Sequence, residues 1–228
     1  MANFKGSAIL SDINGKVGGS IYARNHAGLY VKSTCEYDDR KSDSQQKIRD
    51  KFVKLSQNWQ LLDEAKRLMW FSEADSYFKK NCFGDKYKRD AFHYYLSCNM
   101  NLFFVGEDTI SEPINDNQTG DISEFHLRFE TYPADALIID FSGLSTNATT
   151  KYLIYSTPCV SAGLYYVKNL YRLIGYISCN TSDTCDITDL WLSVFLTFVY
   201  NKKIFCKLRA VNTLSGCSGN TIQNSILT

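Results

Sequence analysis

The segment from Asn14 to Lys32 constrains the fold most, because nineteen positions combine turn-forming glycines with strand-forming residues. Residues 20–24 and 29–32 each alternate apolar with polar side chains, which is the pattern of a half-buried strand. The four residues between them, Asn25 to Gly28, supply a positive φ at one end or the other, as a tight turn requires. The segment therefore predicts a β-hairpin arm. A hairpin is marginal alone in water, so this arm needs a neighbouring surface.

The predicted hairpin carries basic side chains among apolar and tyrosine side chains. Residues 1–34 hold three more positive than negative charges, an excess that suits an acidic partner or phosphate, although a solvated basic arm explains it equally well. We expect the arm to dock on a neighbouring subunit. The candidate docking residues are Lys16, Ile21, Tyr22, Arg24, Leu29, Tyr30 and Lys32.

Residues 44–106 predict a helical unit of three helices. In the first, apolar residues recur at steps of four and three from Ile48 to Leu62, with an N-cap at one of residues 42–44. The second is expected to run to about Phe78, and the third over residues 88–104. Trp59 in the first helix and Trp70 in the second are expected to anchor the core, and Gly106 to follow the last helix.

The pattern changes after a polar linker at residues 107–121. Short runs of strand-forming residues then alternate with clusters of Gly, Asn, Asp, Ser and Thr. About seven strands in a hundred residues indicate an antiparallel β-sandwich over residues 122–228. The most distinct predicted strands cover residues 125–130, 137–141, 151–155, 171–177, 192–199 and 204–211, and the last is expected to close the sheet with one solvated face.

Composition argues against several classes of function. The net charge is +1, the chain has no apolar run long enough to cross a membrane, and its start lacks the apolar core of a signal peptide. Eight scattered cysteines without a Cys-x-x-Cys pair, together with only three histidines, predict thiols in a reducing cytoplasm and no zinc site. No catalytic residue and no cofactor site is predicted. A cysteine and a histidine meeting in space are the remaining route to an enzyme.

One basic cluster is the best candidate for binding nucleic acid. It interleaves cations with the aromatic residues Tyr77, Phe83 and Tyr87, as surfaces that bind single strands do. Nearby aspartates dilute its charge, and a solvated connection between two helices explains the same residues. The members of this basic patch are Lys79, Lys80, Lys86, Lys88 and Arg89.

Several of these motifs occur together in a known group of proteins. The chain combines Gly-Lys-Val-Gly-Gly-x-Ile-x-x-Arg-Asn-x-x-Gly-x-Tyr-Val-Lys (15–32), Gln-Gln-x5-Phe (45–52), Leu-Ser-Gln-x-Trp (55–59) and Leu-x4-Lys-Arg-x-x-Trp (61–70). A third helix ending Asn-Met-Asn-Leu (99–102) and a sandwich like an immunoglobulin or fibronectin type III domain follow. In this order the chain resembles small proteins coded in tailed-bacteriophage and prophage genomes, including crAss-like phages of gut Bacteroidetes.

The resemblance implies a non-enzymatic structural protein of the virion: a head auxiliary protein, a head–tail connector or ring subunit, or a tail component. Its partners would be other virion proteins and copies of itself, and it would be made in the host bacterial cytoplasm. The implied fold class is α+β, with a hairpin arm and linker (1–43), a three-helix unit (44–106), a linker (107–121) and a sandwich (122–228). The alternative is a nucleic-acid-binding or packaged internal protein that uses the arm and the basic patch.

Overall fold

The chain is seen here in a computed structural model, which describes residues 2–4, 14–25, 28–34, 41–76, 78–81, 83–114, 124–131, 135–141, 149–178 and 184–228. It forms two compact units. Unit 1 comprises Met1–Leu96 with Ser111–Pro113, and unit 2 comprises Ser97–Ile110 with Ile114–Thr228. Helices and antiparallel sheets are both present, so the fold is α+β. The four-part division of the chain stays a prediction.

The first sheet of unit 1 is antiparallel and contains the predicted hairpin. Strands β3 (Ser20–Asn25) and β4 (Gly28–Ser33) pair along their whole length. Two strands that the pattern did not predict extend the sheet on either side. Strand β1 (Ala2–Phe4) pairs with β4, and β2 (Gly15–Val17) pairs with β3, which gives the order β1-β4-β3-β2.

The first two helices of unit 1 follow the predicted pattern closely. Helix α1 (Asp43–Leu61) begins with a capping box, in which the Ser42 hydroxyl accepts from the Gln45 N–H and the Gln45 side chain accepts from the Ser42 N–H, both at 3.4 Å. Helix α2 (Glu64–Ser76) ends before the predicted position, because Phe78 already belongs to a strand.

Between α2 and α3 the chain forms a short hairpin that the sequence pattern did not predict. Strand β5 (Phe78–Lys80) pairs with β6 (Lys86–Lys88). The Asn81 side-chain oxygen holds the turn by accepting from the N–H groups of Phe83 and Asp85, both at 2.9 Å. Helix α3 (Ala91–Phe104) therefore starts after β6 and not at Lys88.

Aromatic side chains join the helical part of unit 1. Tyr95 contacts two tryptophans, with its ring centroid 5.2 Å from that of Trp59 and 5.3 Å from that of Trp70. Trp70 is buried, and its indole N–H donates to the Ser111 carbonyl at 2.9 Å. Trp70 is thus confirmed as a core residue, whereas Trp59 is only half-buried.

The described residues of unit 2 form two antiparallel sheets. The first has the order β12-β8-β7, formed by β7 (His126–Glu130), β8 (Ala136–Asp140) and β12 (Thr184–Asp186). The second has β9 (Thr150–Ser156) and β13 (Lys202–Asn212) at its centre, flanked by β11 (Arg172–Ser178) and β14 (Ser218–Leu227). Strand β10 (Val160–Ser161) pairs with the start of β13.

Both sheets contribute to one apolar core. Buried side chains from β8, β9, β11 and β13 pack together with Trp191 of helix α4 (Thr188–Phe195). The opposite face of β9 and β13 packs on the end of α3 through Leu153, Val211 and Val105. Gly106 follows α3 with φ +76°, and the Glu107 N–H donates to the Leu102 carbonyl, so the predicted glycine C-cap is confirmed.

Two predictions in this region are wrong. Residues 192–199 are predicted to form a strand, but residues 192–195 belong to α4 and residues 196–199 to no regular element, because a short apolar run fits a buried helix as well as a strand. The Asp186 carboxylate accepts from the Thr188 N–H at 2.9 Å and so favours the helix start. Strand β13 is not the last strand, since the polar residues of β14 pair with it after a turn.

Candidate interaction surfaces

The register of the N-terminal sheet divides the predicted docking residues between its two faces. Lys16, Ile21 and Lys32 lie opposite one another across three strands, and Tyr30 shares their face. Tyr22, Arg24 and Leu29 lie on the other face. A half-buried isoleucine flanked by two cations is therefore one surface, and a tyrosine–leucine pair beside an arginine is the other.

No side chain described in β2, β3 or β4 is buried. Lys16, Arg24 and Lys32 are exposed, while the apolar and tyrosine side chains between them are half-buried. Val17, at the outer strand, has 65% of its surface exposed. Antiparallel sheets normally bury at least one face, whereas every described side chain of β2, β3 and β4 keeps part of its surface exposed.

The predicted basic patch lies on the β5–β6 hairpin. Lys80 and Lys86 are exposed and face each other across the two strands. Lys88 is paired with the Asp75 carboxylate at 2.9 Å, and its ammonium group lies 5.9 Å from the Phe78 ring centroid. Arg89 follows the hairpin and is half-buried, and the Lys79 side chain lies outside the described residues. Among the described side chains of the patch, Lys80 and Lys86 are thus exposed cations, and Lys88 is exposed but paired.

The two described histidines lie in different units and each is next to a carboxylate. His93 Nδ1 is 3.3 Å from an Asp90 oxygen, and His126 Nε2 is 3.6 Å from a Glu124 oxygen. His26 lies outside the described residues. Across the described ranges, no group of three or more His, Cys, Asp or Glu side chains is arranged to hold a metal ion.

Burial makes the Cys206 thiol a weak nucleophile. Cys98, Cys159, Cys185, Cys206 and Cys217 carry thiols rather than disulfides. Burial raises the pKa of Cys206 to about 12, although a contact of 3.3 Å with the Ser156 hydroxyl acts in the opposite direction. Burial and the neighbouring Asp186 also raise the pKa of Cys185. Both groups are therefore neutral thiols near pH 7, and a neutral thiol is a poor nucleophile.

A further surface in unit 2 was not found from the sequence. Tyr165 and Tyr166, in the connection between β10 and β11, have 88% and 66% of their surfaces exposed. Lys203 and Lys207 of β13 lie over tyrosine rings beside them. The sequence pattern predicts these lysines on the solvated face of a strand. It does not point to the tyrosines, because their loop shows no alternation of apolar and polar residues. The sequence feature that could have pointed to this surface is the absence of Asp and Glu around the tyrosine-containing loop and around β13.

Comparison with known proteins gives no counterpart for the candidate interaction residues. Protein-family models, curated protein sequences and solved structures give no match to the chain. Among the described residues, no helix is both long and apolar enough to span a membrane.

Proposed function

We propose that this chain is a non-enzymatic structural protein of a tailed-phage virion, where it docks on neighbouring subunits through its N-terminal sheet. The observation that carries the proposal is the sheet β1-β4-β3-β2, whose described side chains in β2, β3 and β4 are all at least partly exposed. A surface of this kind gains stability when another subunit covers it, because apolar area is removed from water.

The sheet offers a partner two kinds of contact. Its edge strands β1 and β2 present backbone donors and acceptors that a strand of another subunit can pair with. The face with Ile21 between Lys16 and Lys32 offers an apolar contact framed by positive charge, which suits an acidic partner surface. In a symmetric particle many weak contacts of this kind act together, so each one needs little affinity.

We also propose that residues 122–228 form an immunoglobulin or fibronectin type III-like sandwich that covers or decorates the particle. Strands β7, β8 and β12 correspond in order to A, B and E of that fold, and β9, β13 and β14 to C, F and G. The shared apolar core between the two sheets supports the same assignment. The aromatic contacts of Trp59 and Trp70 support a three-helix unit as a rigid spacer.

The first test is to count the chain in purified virions by mass spectrometry after separating heads from tails. Hundreds of copies in heads would indicate an auxiliary protein on the shell, and about a dozen in tails would indicate a ring or tail component. Absence from both fractions would refute the virion assignment and favour the nucleic-acid-binding alternative.

The docking role is tested with a matched pair of charge reversals. Lys16→Glu/Lys32→Glu changes two exposed lysines of the sheet, and Lys80→Glu/Lys86→Glu changes two exposed lysines of the β5–β6 hairpin. We expect the first variant to lose incorporation into particles and the second to keep it, with both folded by circular dichroism. Equal incorporation of both variants would remove the sheet from the docking role.

A further inference from the structure

Negative charge is absent from two long stretches of unit 2. Residues 141–182 and 190–228 contain no Asp or Glu, whereas they contain seven basic residues. These stretches supply the four strands β9, β11, β13 and β14, the connection from β9 to β11 and the turn from β13 to β14. The net charge of +1 for the chain therefore hides a local positive field, since the carboxylates are concentrated elsewhere.

Three of these cations share one face of β13. Ile204, Cys206, Leu208 and Ala210 are buried in the core. Because side chains alternate along a strand, Lys203, Lys207 and Arg209 lie on the opposite face. At about 3.3 Å per residue this cationic row, Lys203–Lys207–Arg209, extends over roughly 20 Å. The ammonium groups of Lys203 and Lys207 both contact aromatic rings, and that of Lys203 also donates to a backbone carbonyl.

A loop rich in tyrosine lies beside the cationic row. The tyrosine loop, residues 162–171, packs on this face because Val167 and Tyr171 contact Phe205 in a small apolar cluster. Lys203 fixes it further by donating to the Leu164 carbonyl at 3.3 Å. The loop is thus held in place, while the rings of Tyr165 and Tyr166 are 88% and 66% exposed.

The rings and the cations lie within reach of one another. Lys203 Nζ is 5.3 Å from the centroid of the Tyr165 ring, and Lys207 Nζ is 3.8 Å from that of Tyr171. Each of these pairs is a cation–π contact, which orients the ring and keeps the ammonium group near it. Exposed flat rings next to a row of cations are the two elements of a surface that binds single-stranded nucleic acid.

We propose that the cationic row and the tyrosine loop bind single-stranded nucleic acid. The phosphates meet Lys203, Lys207 and Arg209, and unpaired bases stack on Tyr165 and Tyr166. An acidic protein segment would satisfy the cations but would leave both exposed rings without a flat partner. A duplex would offer phosphates, but its bases are stacked on one another and do not reach the rings. This surface belongs to unit 2, whereas the N-terminal sheet and the basic patch belong to unit 1.

The test uses the full chain and a fluorescein-labelled twenty-residue oligothymidine, with binding followed by fluorescence anisotropy. Three phosphate contacts on a single strand give a slope of about −2 for log affinity against log salt. Raising salt from about 50 to about 200 mM should therefore weaken binding by about 20-fold. Lys207→Gln should lower the slope by about 0.7, because one contact is lost.

The tyrosines are tested separately from the charges. Tyr165→Ala/Tyr166→Ala should weaken binding by about tenfold or more without changing the salt slope, because base stacking and not charge is lost. Tyr165→Phe should keep the affinity, since the ring is kept. The matched controls are Tyr200→Ala, an exposed tyrosine elsewhere in unit 2, and Lys54→Gln, an exposed lysine of α1 outside the basic patch. Both controls should bind like the unchanged protein.

Several results would overturn the proposal. One is the absence of oligothymidine binding at about 50 mM salt. A second is unchanged binding by a Tyr165→Ala/Tyr166→Ala variant whose circular dichroism spectrum is that of a folded protein. A third is equal competition by duplex DNA or dextran sulfate, which would mean that charge alone decides. A loss in Lys86→Gln as large as in Lys207→Gln would move nucleic-acid binding to the basic patch.

Discussion

Replacing Gly216 with alanine should destabilise unit 2 strongly. Gly216 lies in the turn between β13 and β14 with φ +67°, where an L side chain is strained by about 1–2 kcal/mol. An added Cβ would lie 2.3 Å from the backbone carbonyl oxygen of Cys98. The turn cannot retreat easily, because the Asn101 side chain donates to the Gly216 carbonyl at 2.8 Å. Overpacking of this kind costs about 1–3 kcal/mol more.

Alanine substitutions at two other glycines provide a comparison for the loss of stability expected at Gly216. At Gly106, φ is +76° but the Cβ would meet the end of the Tyr176 side chain at 2.9 Å, which can move, so we expect only the conformational cost of about 1–2 kcal/mol. Gly163 has no neighbour within 4 Å and no positive φ, so Gly163→Ala should lie within about 1 kcal/mol of the unchanged protein. Urea unfolding by circular dichroism measures all three. A loss for Gly216→Ala below that for Gly106→Ala would refute the reasoning.

The other predictions concern the core, a helix cap and a buried thiol. Trp70→Ala should cost about 3–5 kcal/mol in urea unfolding, because the indole is 1% exposed and packs on Tyr95; an unchanged midpoint would place it outside the core. Ser42→Ala should cost about 1 kcal/mol, whereas Ser42→Asp should restore the cap. Burial raises the pKa of Cys206 to about 12, so the folded state holds a proton that the unfolded state loses above about pH 8.5. Stability should therefore fall as pH rises from there towards 12, by up to about 1.4 kcal/mol per pH unit, and Cys206→Ala should remove this part of the slope.

The sequence was most informative where local chemistry decides the structure. The N-cap signal at residues 42–44 and the apolar stripe placed α1 correctly, with Ser42 as the cap in the structure, and Gly106 marked the end of α3. The hairpin β3–β4 followed from alternation around a turn. Each of these signals lies within a few residues of the feature that it predicts.

The errors came from pairing between distant residues and from ambiguous apolar runs. Strand β14 is rich in Ser, Asn and Gln, and only its pairing with β13 makes it a strand. The β5–β6 hairpin shortened both neighbouring helices in the same way. Helix α4 reads as a strand until Trp191 is seen buried against both sheets. The tyrosine loop has no period at all, and its position depends on Phe205 on another strand.

The partial exposure of the N-terminal sheet has a consequence for the order in which parts of the chain fold. Strands whose side chains are only partly covered open by local fluctuation more readily than a buried core does. In a lone subunit, the backbone amides of β2 and β3 should therefore exchange with solvent far sooner than those of β13. Burial against a neighbour would stabilise the closed sheet by mass action, so its order would depend on subunit concentration. Under the proposed docking role, this sheet would complete its folding only where subunits have already gathered.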